Sequence, residues 1–258
     1  MKIQNKVKRK IREGLPACGS WLMIGDLAVA EILAGAGYDW IAVDMEHTSI
    51  TYETLPALLS GIHAQGAESF VRIEDNNPAV IKRVLDCGAG GIIVPLVNSP
   101  EEARAAVLAA KYPPEGVRGV SLGRASGYGN NFQDYFDSIN DQVIVLAQIE
   151  HHLAVERIDE IVGVEGLDGV FLGPYDLSGS MGIVGQFEHP RMADARKRVI
   201  EASKRAGKAV GIHEVSPDAS AMRALLEEGF NFLACSLDTV FLGNAARTVA
   251  NELKQFLG

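Results

Sequence analysis

Eight short apolar runs rich in Val, Ile and Phe recur along the chain, at residues 18–23, 40–46, 69–73, 91–97, 143–150, 169–173, 209–214 and 232–237. Each precedes a segment of helical period, and each is apolar on both faces, which suits parallel strands covered by helices better than half-wetted hairpins. Helices are predicted at 28–36, 52–65, 78–87, 100–111, 153–162, 190–206, 218–228 and 245–256. Pro78, Pro100 and Pro190 stand at first-turn positions, where a missing N–H breaks no helical bond, and Ser99 and Ser216 stand where a side-chain oxygen can cap. Gly37, Gly66, Gly88, Gly207 and Gly229 fall just past helix ends. Eight strand–helix units without a linker predict an α/β fold, a single (β/α)₈ TIM barrel over 1–258, with a doubly wound sheet as the competing architecture. The basic segment at 5–13 reads as a solvated N-terminal helix rather than part of a signal peptide, because Asp26 and Glu31 interrupt the apolar stretch behind it. The one long irregular stretch, 112–140, follows the fourth strand, and loops of that length usually carry function.

Composition adds exclusions. At 258 residues, 47% hydrophobic and 22% charged, the chain can bury a sizeable core. Its 24 Lys and Arg against 33 Asp and Glu give a net charge of −9, which disfavours nucleic acid as a partner. No run approaches the roughly 18 apolar residues of a membrane span. Cys18, Cys87 and Cys235 are far apart, odd in number and set in apolar contexts, so buried reduced thiols and a cytoplasmic location are expected.

In such a barrel the chemistry sits at the C-terminal strand ends. Strand two ends in Asp44, Glu46 and His47, strand three carries Arg72, and strand five ends in Gln148 and Glu150. Strand six is followed by Gly173-Pro-Tyr-Asp176, strand seven ends in His213 and Glu214, and strand eight in Asp238. Glu150 and Asp176 lie on adjacent strand ends, and two hard oxygen ligands with no cysteine nearby suit Mg²⁺ or Mn²⁺. The competing readings are a rim ion pair for Glu150 and a helix cap for Asp176. Asp44, three residues before His47, could hold one imidazole nitrogen and leave the other for proton transfer, unless His47 is satisfied locally. Arg72, set among Phe70, Val71 and Ile73, must meet an anion, either an internal carboxylate or a bound one. His151 and His152 read as supporting or surface residues. His213-Glu214 lacks the second histidine of H-E-x-x-H, and the absence of a complete dinucleotide loop and of a P-loop weakens NAD- and ATP-dependent alternatives.

Taken in order, Glu31-Ile-Leu-Ala-Gly-Ala-Gly-Tyr-Asp-Trp40, Asp44-Met-Glu-His47, Val71-Arg72, Val94-Pro-Leu-Val97, Tyr112-Pro-Pro-Glu-Gly-Val-Arg-Gly119, Arg124-Ala125, Gln148-Ile-Glu150 and Gly166-Leu-Asp-Gly-Val-Phe-Leu-Gly-Pro-Tyr-Asp-Leu-Ser178 form a pattern. It resembles the class II, metal-dependent pyruvate aldolases of the HpcH/HpaI family, within the phosphoenolpyruvate/pyruvate barrel superfamily. The resemblance implies reversible cleavage of a 4-hydroxy-2-oxo acid, of the 2-keto-3-deoxy sugar acid or 2,4-dihydroxyhept-2-enedioate type, into pyruvate and an aldehyde. It implies that Glu150 and Asp176 hold a divalent metal (Mg²⁺, Mn²⁺ or Co²⁺) that chelates pyruvate. Arg72 would stabilise the enolate oxygen, and Gln148 would position the pyruvate. Gly173 lies in the same loop, where the Tyr175 and Asp176 N–H groups would receive the carboxylate. His47 with Asp44 would act as the base through a metal-bound water. It further implies a homo-oligomer, a hexamer built as a trimer of dimers, with the last helix, 245–256, exchanged between subunits. Oxaloacetate decarboxylation, lysis of an acyl-CoA and a non-catalytic binding barrel remain as alternatives. Tyr175 stands where Ala or Ser is usual, His151 where Thr is usual, and strand seven ends His213-Glu214-Val215-Ser216, so the aldehyde does not transfer. Arg118 and Arg124 in the long loop could read the aldehyde or be structural, Arg118 more readily the latter.

Overall fold

All eight apolar runs are strands, and they close on themselves. In the computed structural model, which describes residues 4–257, the strands are β1 (Ala17–Leu22), β2 (Trp40–Asp44), β3 (Glu68–Arg72), β4 (Gly91–Val94), β5 (Ile144–Ile149), β6 (Gly169–Leu172), β7 (Ala209–Glu214) and β8 (Phe232–Leu237). They pair in parallel in chain order, and β8 closes on β1. The doubly wound sheet is thereby excluded. The helices are α1 (Lys6–Arg12), α2 (Leu27–Gly35), α3 (Leu55–Ala64), α4 (Pro78–Asp86), α5 (Pro100–Ala110), α6 (Phe132–Gln142), α7 (His152–Glu156), α8 (Ile158–Val162), α9 (Pro174–Ser180), α10 (Pro190–Arg205), α11 (Ala219–Glu228) and α12 (Asp238–Leu257). No helix among the described residues is long and apolar enough to cross a membrane.

The structure corrects several expectations. The 112–140 stretch contains the 3₁₀ turn Arg124–Ser126 and most of α6, whose buried stripe of Tyr135, Ser138 and Ile139 is too short and too polar to stand out as a period. The helix expected over 153–162 is two, broken at Arg157. The last helix starts at Asp238, directly on β8, and from Asn244 onward it is exposed. Asp218, not Ser216, caps α11. The thiols are free but half-buried rather than buried. Helix α1 is not merely solvated: Val7 is fully buried against the barrel interior, and the Lys8 ammonium donates to Val143 O at 2.8 Å and pairs with Asp168. One face of a basic helix therefore closes the barrel's N-terminal end while its charged face stays wet.

The interior is filled by aromatic rings lying across glycines. Trp40 stacks on Phe232 with centroids 4.3 Å apart, and Phe70 meets both edge-on at 5.5 and 5.3 Å. A Cβ on Gly19 would lie 2.1 Å from the Trp40 ring, and one on Gly91 would lie 2.4 Å from Phe70. A barrel this narrow accepts a large side chain from one strand only where its neighbour contributes none.

Gly19→Ala is expected to destabilise the protein by about 1–3 kcal/mol, since Trp40 has no free space to enter. A urea midpoint equal to the parent's, at the same m-value, would contradict this packing.

Candidate active site

Strand alternation fixes which side chains face the mouth. Inward positions on β1, β2, β3, β5 and β7 climb from the interior layer of Gly19, Ala42, Phe70, Leu146 and Gly211 to a top layer of Trp21, Asp44, Arg72, Gln148 and His213.

Arg72 meets an internal anion. Its Nε donates to Asp44 Oδ1 at 3.0 Å and its Nη2 to Asp44 Oδ2 at 2.7 Å, while Glu46 Oε2 lies 3.3 Å from Nε. Its guanidinium sits 4.5 Å over the Trp21 ring. Asp44 is fully buried, and its Oδ1 also accepts the backbone N–H groups of Glu46 and His47 at 3.1 and 3.3 Å. The expected Asp44–imidazole pairing does not form. The chain turns directly after β2 so that the backbone of His47, not its ring, faces the carboxylate. The ring is 58% exposed, with Nε2 3.6 Å from Glu46 Oε2.

Glu150, one residue past β5, is buried rather than on the rim. Its Oε1 accepts the Leu96 N–H at 2.7 Å, and its Oε2 accepts the Gln148 side-chain amide. Leu96 holds φ at 52°, a left-handed conformation unusual for a side chain of this kind, which turns its N–H toward Glu150. The carboxylate also needs Gly173, because a Cβ there would stand 3.0 Å from Glu150 Cβ and 3.1 Å from its Oε2. Gln148 Oε1 is buried with no hydrogen-bond partner. Asp176 is exposed in the first turn of α9. It is not the cap, a position that Gly173 takes without a side-chain bond. Burial pushes the Glu150 carboxyl above its usual range. The Gln148 and Leu96 hydrogen bonds oppose that rise, and the Asp176 charge adds to it. Burial likewise raises Glu46; Arg72 pulls it back, and the charge of Glu150 pushes it further up.

Four carboxylates thus share the mouth with one guanidinium. Among the described residues no three His, Cys, Asp or Glu side chains converge as a ready-made metal cluster. The two carboxylates of Glu150 and Asp176, with the unpartnered amide oxygen of Gln148 beside them, nevertheless form a hard, all-oxygen donor set. Its excess negative charge fits a divalent cation of the Mg²⁺ or Mn²⁺ class.

The remaining candidates divide cleanly. Pro174 has no N–H, and the first helical bond of α9 is made by the Leu177 N–H to Gly173 O, which leaves the Tyr175 and Asp176 N–H groups ahead of it. The Tyr175 ring packs edge-on against Phe187 at 4.8 Å. His151 caps α7, with its ring 4.4 Å from that of His152. Asp238 accepts the N–H groups of Met23, Ile24 and Thr239, tying β1 to α12. Arg118 is buried on Asp86, at 2.7 Å, and on the Tyr112 face, at 4.6 Å, and is structural. Arg124 donates to Cys87 O and lines a cavity of about 370 Å³ with Asn5 and Glu68, at the barrel end opposite the mouth. Trp21 and Leu96 had no assigned role in the sequence. Period-2 counting along β1 could have placed Trp21, whereas Leu96 acts through its backbone and carries no side-chain signal.

A closed parallel barrel with charged side chains converging at the C-terminal strand ends places the protein among the α/β-barrel enzymes. The profile of the HpcH/HpaI aldolase/citrate lyase family matches residues 18–245. Over 250 residues the chain is 40% identical to the 4-hydroxy-2-oxo-heptane-1,7-dioate aldolase of Shigella sonnei (strain Ss046), covering 96% of this chain and 94% of that protein. It is 41% identical over 254 residues to the hydroxypyruvate/pyruvate aldolase of Deinococcus radiodurans, covering 98% and 91%. The crystal structure of an HpcH/HpaI aldolase/citrate lyase family protein from Burkholderia cenocepacia J2315 matches with a TM-score of 0.92 at 36% identity, covering 97% of this chain and all of that one. The chain belongs to the HpcH/HpaI aldolase/citrate lyase family.

Removing Asp44 takes the bidentate partner from Arg72 and leaves it only Glu46, so Asp44→Ala is expected to destabilise by up to about 3–5 kcal/mol. Arg72→Met in that background should cost less than it does alone. Strictly additive single effects in a denaturation double-mutant cycle would show that the pair is not coupled.

Proposed function

We propose that the chain is a divalent-metal-dependent aldolase that cleaves a 4-hydroxy-2-oxo acid reversibly into pyruvate and an aldehyde. The observation that carries this reading is the buried Glu150 carboxylate with the unpartnered Gln148 oxygen beside it, in a mouth that also holds a fixed guanidinium. The names of the Shigella and Deinococcus relatives support the substrate class. A cation held by Glu150 and Asp176, with Gln148 alongside, supplies Lewis-acid polarisation of the 2-oxo group when bound.

Arg72 is the electrostatic partner. Asp44 engages its Nε and Nη2 and Trp21 supports its face, so the guanidinium is held in one orientation. Nη1, which has no partner among the described residues, is left to donate to the keto oxygen as negative charge develops there. The N–H groups of Tyr175 and Asp176 receive the carboxylate of the 2-oxo acid. His47 takes the proton of the 4-hydroxyl during cleavage, with Glu46 rather than Asp44 as the carboxylate beside its ring. Helix α12 leaves Leu242, Val249, Leu253 and Phe256 exposed, which supports the reading that it packs against another copy of the chain.

Glu150→Gln and Asp176→Asn should each abolish pyruvate release from 4-hydroxy-2-oxo-heptane-1,7-dioate while leaving the thermal midpoint near the parent's. Chelator-stripped parent protein should regain activity with Mg²⁺, Mn²⁺ or Co²⁺. Full turnover by either variant after metal refilling would sink the assignment. His47→Ala should slow aldol cleavage far more than oxaloacetate decarboxylation, since only cleavage removes a hydroxyl proton. Equal losses in both reactions would remove His47 from that role.

A further inference from the structure

His213 is the one top-layer side chain that the proposed reaction leaves without a task. It ends the inward row Ala209, Gly211, His213 of β7 and is partly exposed at the mouth. Its ring stands 5.8 Å from that of Trp21, the residue beneath Arg72. Its Nε2 lies 3.1 Å from Ser236 O. A carbonyl can only accept, so Nε2 carries the hydrogen and Nδ1 holds a lone pair. Nδ1 has no partner among the described residues.

The backbone is arranged to keep it so. Ser236 is held at φ 52° where the β1–β8 register slips, and a bulge of this kind re-aims a peptide group out of the ladder. The same carbonyl accepts the Ser20 hydroxyl at 3.2 Å, and the Ser236 hydroxyl is tied to Val215 O at 2.8 Å. The ring therefore cannot turn over without breaking its bond to a carbonyl that is fixed from several sides. Burial, with the Arg72 charge adding to it against the Ser236 bond, lowers the imidazole to about 4, so at neutral pH it is an uncharged acceptor and not a base.

The geometry points to His213 as a specificity-determining residue that accepts a hydrogen bond from a hydroxyl on carbon 3 of the 2-oxo acid. This rests on the reading of the mouth as a 2-oxo acid site. There the substrate's oxygens are engaged by Glu150, Asp176 and Arg72, so carbon 3 faces the β7 side, where His213 stands partly exposed above the buried rings of Trp21 and Phe171. A fixed, unpartnered lone pair at the mouth suits a hydroxymethyl group, because a hydroxyl placed there gains a partner and a methyl leaves one unmet.

The test uses hydroxypyruvate and pyruvate as paired donors with one common aldehyde, in the parent and in His213→Leu. The ratio of kcat/KM for hydroxypyruvate over pyruvate should fall about fivefold to tenfold, the worth of one neutral hydrogen bond, with partial recovery in His213→Gln. A second readout needs neither turnover nor a variant. In parent protein with Mg²⁺ and ¹⁵N-labelled histidine, the His213 Nδ1 resonance should be that of an unprotonated nitrogen, and it should move on addition of hydroxypyruvate but not of pyruvate. An unchanged donor ratio, a protonated Nδ1, or an Nδ1 resonance indifferent to hydroxypyruvate would each overturn the inference. Absence of aldol turnover with every donor, together with an Nδ1 shift on hydroxypyruvate, would instead remove the proposed reaction and leave His213 as a hydroxyl-recognising residue.

Discussion

The mouth of the barrel is organised by one bidentate contact, Arg72 on Asp44. Asp44 is fully buried, and a carboxylate taken out of water is stable only if its oxygens are matched, here by a guanidinium fork and two backbone N–H groups. The match has consequences in both directions along the chain. It folds the residues after β2 inward on their backbone, which sends the His47 ring outward. It also fixes the plane of the guanidinium, which leaves Nη1 as the donor not used by protein. A lysine could neutralise the same carboxylate but could not hold one plane while presenting another donor.

That fixed layer needs a rigid floor. The interior beneath it is a set of aromatic rings seated over glycines, with Trp40 stacked on Phe232 and Phe171 edge-on to Trp21 at 5.7 Å. Trp21 belongs to both layers: one face of its surroundings is the packed interior, and the other is the cation of Arg72. Packing at crystalline density transmits position, so the guanidinium is located by the core as well as by its counter-ion.

The fold was legible because eight repetitions of one strand–helix unit leave little ambiguity even when single boundaries err. The boundary errors have physical causes: β2 and β5 end before Glu46 and Glu150, the acidic residues that close their apolar runs, and β4 ends before Leu96, whose left-handed backbone leaves the ladder to serve the mouth. At the site, the residue types are legible because Arg72, Glu150 and His213 each stand at or near the end of an apolar run. Pairings were not. Asp44 is as close in sequence to His47 as a dyad requires, yet the strand register sets it opposite Arg72, and a contact across a sheet outweighs one along a turn. Arg118 and Arg124 share a loop with no sequence sign of direction, and only the fold shows Arg118 buried within the helical layer and Arg124 at the far end of the barrel.

Backbone strain marks what sequence hides most completely. Among the described residues three non-glycines have left-handed φ; one, Tyr128, is in the long loop, and the other two, Leu96 and Ser236, follow or interrupt strand ends at the mouth. Such a conformation costs on the order of 1–3 kcal/mol and persists only where neighbours enforce it. The two peptides do opposite things: Leu96 turns an N–H onto the buried carboxylate of Glu150, and Ser236 turns a C=O onto the imidazole of His213. Donor is matched to anion and acceptor to neutral ring, so each strained peptide fixes the state of a side chain as well as its position. Leu96→Val or Ser236→Thr would keep the chemistry of the sequence yet resist the left-handed backbone, and so would change which atoms the mouth presents.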